Sequence, residues 1–157
     1  MHRIMLLASP GITAEKAAVQ PKDICFVLDT SGSMAGAKLE QAKKALRFCL
    51  ANLGSADRFE IVRFSTEAEA LFRGLAPADD ADLKKARAFI DGLQAIGGTN
   101  IDEALALALG MKKQEGRPYM VIFITDGKPT IGETDEYLRC VDLLDDCDPQ
   151  ARGALGL

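Results

Sequence analysis

Asp29, Ser31 and Ser33 occupy alternate positions in Asp29-Thr30-Ser31-Gly32-Ser33, directly after the apolar run Ile24-Cys25-Phe26-Val27-Leu28. A carboxylate followed by two hydroxyls is a set of hard oxygen donors. Such a set suits Mg²⁺, with Mn²⁺ or Ca²⁺ as alternatives, because these ions prefer oxygen and commonly keep positions for water or a partner group. Gly32, between the hydroxyls, frees the backbone to turn. Two distant segments carry the same chemistry: Asp126 follows the apolar stretch Tyr119-Met120-Val121-Ile122-Phe123-Ile124-Thr125, and Thr99 lies in Gly97-Gly98-Thr99-Asn100. The two carboxylates would balance a divalent charge, leaving the ion unsaturated for an acidic side chain of a protein partner.

The elements that must position these residues follow from periodicity. Residues 24–28 and 119–125 are continuous apolar runs, as expected of strands buried on both faces, and each ends in a carboxylate. From 37 to 53, Leu39, Ala42, Leu46, Cys49, Leu50 and Leu53 recur at helical spacing, with Lys43, Lys44 and Arg47 expected on a solvated face. Gly54 ends that helix; residues 58–64 read as a second strand and 68–72 as a short third one closed by Gly74 and Pro77. Asp80 is expected to cap a helix carrying Leu83, Ala86, Phe89, Ile90 and Leu93, and a further helix runs from about 101 to 111. The alternation implies an α/β fold, a Rossmann-like doubly wound sheet that is mostly parallel with a short antiparallel edge strand. In such sheets ligands bind beyond the carboxyl ends of the strands, where Asp29 and Asp126 converge if their strands are neighbours.

Composition narrows the function classes. At 157 residues, with 48% hydrophobic and 27% charged residues, the chain has the make-up of a folded domain rather than a disordered one. A net charge of −4 offers no basic face for nucleic acid, and no apolar run approaches the roughly 20 residues that cross a bilayer. Residues 1–10 lack the length and small-residue cleavage pattern of a signal peptide. The single histidine, His2, leaves nothing for a Ser-His or Cys-His nucleophile pair. Cys25, Cys49, Cys140 and Cys147 have no metal-ligand spacing and read as buried or free thiols. The acidic group Asp142, Asp145, Asp146 and Asp148 lacks the Gly and terminal Glu of an EF-hand loop and reads as a solvated segment.

The three motifs Asp29-Thr30-Ser31-Gly32-Ser33, Gly98-Thr99-Asn100 and Thr125-Asp126-Gly127, in that order, resemble the metal-ion-dependent adhesion site of von Willebrand factor A domains. The resemblance covers residues 21–129. It maps the metal ligands onto Asp29, Ser31, Ser33, Thr99 and Asp126, and implies a non-enzymatic module whose cation bridges to an acidic residue of a protein ligand. The hydroxyls of Ser31 and Ser33 would coordinate directly, with Thr99 and the carboxylates bound directly or through water. Pro21-Lys22-Asp23-Ile24 and Thr125-Asp126-Gly127-Lys128-Pro129-Thr130 are most similar to the branch containing the inter-alpha-trypsin inhibitor heavy chains, often secreted or surface-attached. In that branch a separate domain precedes this one. Residues 1–20 are therefore expected to end a preceding domain or to form a linker, with a strand at 3–9, and residues 21–157 to form a partial von Willebrand factor A domain. The resemblance implies further strand–helix units after Asp126, where the sequence offers one helix at 133–144 and no apolar run of a central strand.

An enzymatic alternative takes Asp29 as the phosphoryl-accepting nucleophile of a Mg²⁺-dependent phosphatase of haloacid dehalogenase type, with Asp126 as a metal ligand. Such enzymes carry Asp-x-Asp at the first strand. Ser31 stands here where the second carboxylate would do acid–base work. Neither Gly-x-Gly-x-x-Gly nor Gly-x-x-x-x-Gly-Lys-Ser/Thr is present to cradle a nucleotide.

Overall fold

The strand β1 (Asp23–Asp29) is buried along its whole length, and its alternation divides its side chains between two cores. Ile24, Phe26 and Leu28 face one layer; Cys25 and Val27 face the other. The computed structural model describes residues 20–111 and 115–126 of the chain. The expected strand at 3–9, the helix at 133–144 and the acidic segment lie outside them.

After β1, a short 3₁₀ turn at Gly32–Met34 leads into α1 (Ala37–Ala51), followed by β2 (Arg58–Phe64), β3 (Ala68–Ala70), β4 (Ala76–Pro77), α2 (Asp80–Gly92), α3 (Ile101–Leu109) and β5 (Tyr119–Ile124). The sheet order is β3-β2-β1-β5, with β4 also pairing to β2. β1 runs parallel to both β2 and β5, while β3 and β4 are antiparallel to β2. The expected mostly parallel centre with an antiparallel edge is thus what the chain forms. β4 was not expected: Pro77 lacks an N–H, yet a short outer strand tolerates it.

Helices cover both faces. Leu39, Ala42, Leu46 and Leu50 of α1, with Ala86 and Ile90 of α2, pack on Ile24, Phe26, Leu28, Phe59 and Ile61. On the opposite face Ile101, Ala104 and Ala108 of α3 pack on Cys25, Val27, Val62 and Phe64. Phe64 and Phe123 pack with ring centroids 5.1 Å apart, binding β2 to β5 across this second layer. Burial pushes the Cys25 thiol up to about 12, which keeps it protonated and inert, and also raises that of Cys49; both are free thiols.

Two local readings need correction. The cap of α2 is Asp79, whose side chain accepts from the Asp82 N–H at 2.8 Å, not Asp80, which is the first helical residue. The Ala78 N–H donates to Asp57 O at 2.9 Å, and this anchor leaves Asp79 in the extended conformation that a cap requires. Lys43, expected in solvent, is 7% exposed. Its ammonium pairs with Glu40 one turn earlier in α1 at 3.3 Å; because this side of α1 packs along α2, it also donates to Asp91 O at 3.5 Å and Arg47 pairs with Asp91. Lys44 stays exposed, as expected.

The amino-terminal end of the sheet carries its own charged network. Asp23, fully buried, accepts from Arg58 Nε and Arg117 Nε, each at 2.9 Å. The Arg58 hydrogen bond, with support from Arg117, holds its carboxyl below the usual range despite burial. Two guanidiniums thus neutralise this carboxylate, which serves to tie β1, β2 and the start of β5 together.

Candidate metal centre

Asp29 and Asp126 lie at the carboxyl ends of β1 and β5, which are neighbours in the sheet with Leu28 opposite Ile124. Parallel pairing therefore brings both chain exits to one edge. Asp29 is fully buried: Oδ1 accepts from the Ser31 N–H at 2.8 Å and Oδ2 from the Thr125 hydroxyl at 2.6 Å. Among the described residues no lysine or arginine forms an ion pair with it.

From Asp29 the polar groups form a connected line. Ser33 Oγ donates to Asp126 Oδ1 at 3.0 Å, so its single proton is committed there. Ser31 and Ser33 hydroxyls are 3.0 Å apart, and Ser31 is then the donor of that bond. Ser31 is buried while Ser33 and Asp126 face solvent. The cluster runs from a buried carboxylate to an open rim.

Thr99 arrives from the side, 3% exposed, in the loop between α2 and α3. That loop is pinned to the exits of β1 and β2 by backbone bonds: Gly32 N–H to Gly97 O at 3.0 Å, Ile96 N–H to Thr30 O at 2.8 Å and Asn100 N–H to Ser65 O at 2.7 Å. Gly97 has φ 84°, and a Cβ there would meet Thr66 Oγ1 at 2.6 Å, so glycine is required both for conformation and for space. Thr30 itself is turned away, its hydroxyl donating to Phe64 O at 3.0 Å. This leaves Ser31 and Ser33, rather than Thr30, in the cluster.

The residues singled out from sequence are thus gathered: Asp29, Ser31, Ser33 and Asp126 by direct hydrogen bonds, and Thr99 by a loop bonded to the same turn. Two further side chains join them. Thr125 orients Asp29, and its signal was its place beside Asp126 in the third motif. Lys38, in the first turn of α1, pairs with Asp126 and donates to Ser33 O at 3.2 Å. Its signal was a basic residue where a helix disfavours one.

The donor set fits a hard divalent cation: carboxylate and hydroxyl oxygens, no sulfur or nitrogen, and a buried carboxylate without an ammonium or guanidinium partner among the described residues. A separate cavity of about 510 Å³, lined by Ala68, Ala70, Leu75, Leu107 and Met111 among others, lies between β3 and α3 and touches none of these donors.

The sequence profile of the von Willebrand factor type A domain matches residues 22–152. The chain belongs to the von Willebrand factor type A (vWA) domain family. This vWA domain is 40% identical over 129 residues to inter-alpha-trypsin inhibitor heavy chain H4 of Homo sapiens, covering 77% of this chain and 14% of that protein. To heavy chain H2 of Mesocricetus auratus it is 35% identical over 122 residues, covering 72% of this chain and 13% of that protein. It therefore spans about one seventh of the heavy chains it matches. Among solved structures, a von Willebrand factor type A protein from Catenulispora acidiphila superposes with a TM-score of 0.71 at 23% identity, covering 80% of this chain and 30% of that one. Proximal thread matrix protein 1 of the mussel byssus, solved with a zinc-occupied MIDAS motif, gives a TM-score of 0.63 at 25% identity, covering 81% of this chain and 34% of that one. The vWA family is one of protein-interaction and adhesion domains.

Proposed function

We propose that this vWA domain binds a protein ligand through a divalent cation held by Asp29, Ser31, Ser33, Thr99 and Asp126. The observation that carries the reading is Asp29: a fully buried carboxylate with no basic partner among the described residues, continued by two hydroxyls and a second carboxylate toward solvent. A buried carboxylate without a basic partner among the described residues offers its oxygens to a cation, which would supply the compensating charge. Bound there, the ion would supply a Lewis-acid site for a carboxylate oxygen brought by the partner. Ser31 and Ser33 present neutral oxygens that leave the ion electron-poor, Thr125 orients Asp29, and the loop at 93–100 fixes Thr99. Mg²⁺ is the expected ion, with Mn²⁺ and Ca²⁺ as alternatives of the same oxygen chemistry. The zinc-occupied MIDAS motif of the mussel protein, which has a similar fold, supports a divalent ion in this domain.

Phosphoryl transfer is the weaker reading. A nucleophilic carboxylate must reach phosphorus, whereas Asp29 is fully buried with both oxygens accepting hydrogen bonds.

Selection of a random peptide library on the immobilised protein in Mg²⁺ tests the proposal. Enriched peptides should share an Asp or Glu and be released by chelator. Peptides retained equally in chelator, or without acidic residues, would contradict it.

A further inference from the structure

Lys38 stands in the first turn of α1, where the helix dipole favours anions and opposes an ammonium. It is held there by the site: Nζ pairs with Asp126 Oδ2 and donates to Ser33 O at 3.2 Å. The other oxygen of Asp126 accepts from Ser33. Both oxygens of this carboxylate are thus engaged, one of them by a positive charge.

We propose that Lys38 is a tethered counter-cation that competes with the divalent ion for Asp126 and so sets the concentration at which the site fills. The inference rests on the metal-site reading above. An ammonium and a divalent ion on one carboxylate repel each other and compete for its negative charge. Filling of the site is therefore favoured by displacing Lys38. Its side chain is 51% exposed and ends a flexible four-carbon stem, so it can swing into water with the helix unmoved. The exchange substitutes one cation for another and leaves the buried Asp29 end of the site intact. Removing the ammonium should tighten ion binding, whereas arginine, keeping the charge and adding a fork of donors, should hold Asp126 at least as firmly.

Calorimetric titration of Mn²⁺ alone into the full 157-residue chain tests this. Lys38→Met is expected to lower Kd about three- to tenfold, in keeping with the loss of one exposed ion pair and one like charge near the ion. Lys38→Arg should bind no tighter than the wild type. Lys44→Met changes net charge by the same amount on an exposed stretch of the same helix and should leave Kd unchanged. Lys38→Gln serves as a second neutral variant if the methionine perturbs folding. Wild type and both neutral variants binding Mn²⁺ with one Kd, while Asp126→Ala loses binding, would overturn the role of Lys38 and leave the metal site standing. Equal tightening by Lys44→Met would reduce the effect to net charge and overturn it too. Absence of binding in every variant would remove the metal site and this inference together.

Discussion

Ser33 Oγ donates to Asp126 Oδ1 at 3.0 Å across 93 residues of sequence. The bond joins the turn after β1 to the exit of β5, and it exists because those strands are parallel neighbours. Ser33 and Asp126 are solvent-facing, so this link belongs to the site more than to the core. Ser33→Ala should change unfolding free energy by no more than about 0.5 kcal/mol in chelator, the range of surface substitutions, while weakening cation binding by about tenfold or more. Urea melts and ion titration on the same preparation separate the two effects.

Leu28→Ala makes the opposite comparison. Leu28 is fully buried one residue before Asp29, and its truncation should cost about 2–5 kcal/mol. A urea midpoint unchanged from wild type would show that the β1 core does not govern stability.

The loop bearing Thr99 depends on Gly97. Gly97→Ala places a methyl at a left-handed φ and against Thr66 Oγ1, so about 1–3 kcal/mol of stability should be lost. Ion affinity should fall with it, because the loop carries Thr99 and is bonded to Gly32. Thermal melts and ion titration check both effects.

Glu60 predicts a pH dependence. It is fully buried on β2, with Oε1 accepting from the N–H of Ile61 at 2.8 Å and of Phe72 at 3.0 Å, and Oε2 from the N–H of Gly74 at 2.9 Å. Arg73, at φ 59°, is the left-handed turn that brings the last two amides round. Burial raises the Glu60 carboxyl above its ordinary range despite these donors. The folded state then holds this proton more tightly than the unfolded one, so stability falls as pH rises from about 4.3 to the raised native value. Asp23, whose carboxyl is lowered, acts in a separate window: its contribution is lost only as pH falls below about 3.9. Glu60→Gln should abolish the first slope and leave the second, while costing about 1–3 kcal/mol, since its amide nitrogen cannot accept from both sides of the loop. Denaturant titrations from pH 3 to about pH 7 would read both windows.

The sequence made the fold legible where burial on both faces imposed a continuous apolar run, as at 24–28, and where a helix repeated its apolar residues; the run at 119–124 forms its strand too, but β5 is only partly buried, with Met120 exposed, and not covered on both faces as expected. It was also legible that Asp29 and Asp126 share one edge, because both end such runs. What escaped were features decided by tertiary neighbours. Glu60 alternates like a surface residue, yet loop amides 12 and 14 residues away donate to its carboxylate and hold it in the core. Lys43 sits among charges that suggest solvent, but α2 packs over it. Asp79 and Asp80 are equivalent caps by type, and only the anchor from Ala78 to Asp57 selects the first. Lys38 stands out locally as a basic residue in a helix's first turn, but its partner Asp126 lies 88 residues away, so the pairing itself was not legible.

Ion binding also predicts linkage to stability. With free Mg²⁺ at about 100 times its Kd, unfolding free energy should rise by about 2.7 kcal/mol over the value in chelator, and Ser31→Ala should flatten that rise. Paired urea melts with and without the ion give the difference directly.

Asp29, Ser31, Ser33, Thr99 and Asp126 are expected to hold one divalent cation together. Equilibrium dialysis against Mn²⁺, with the free ion read by electron paramagnetic resonance, tests it most directly. One Mn²⁺ per chain is expected, displaced by Mg²⁺ and lost in Asp126→Ala and Ser31→Ala proteins that keep the wild-type circular dichroism. No bound Mn²⁺ at millimolar concentration, or binding that survives both substitutions unchanged, would contradict it.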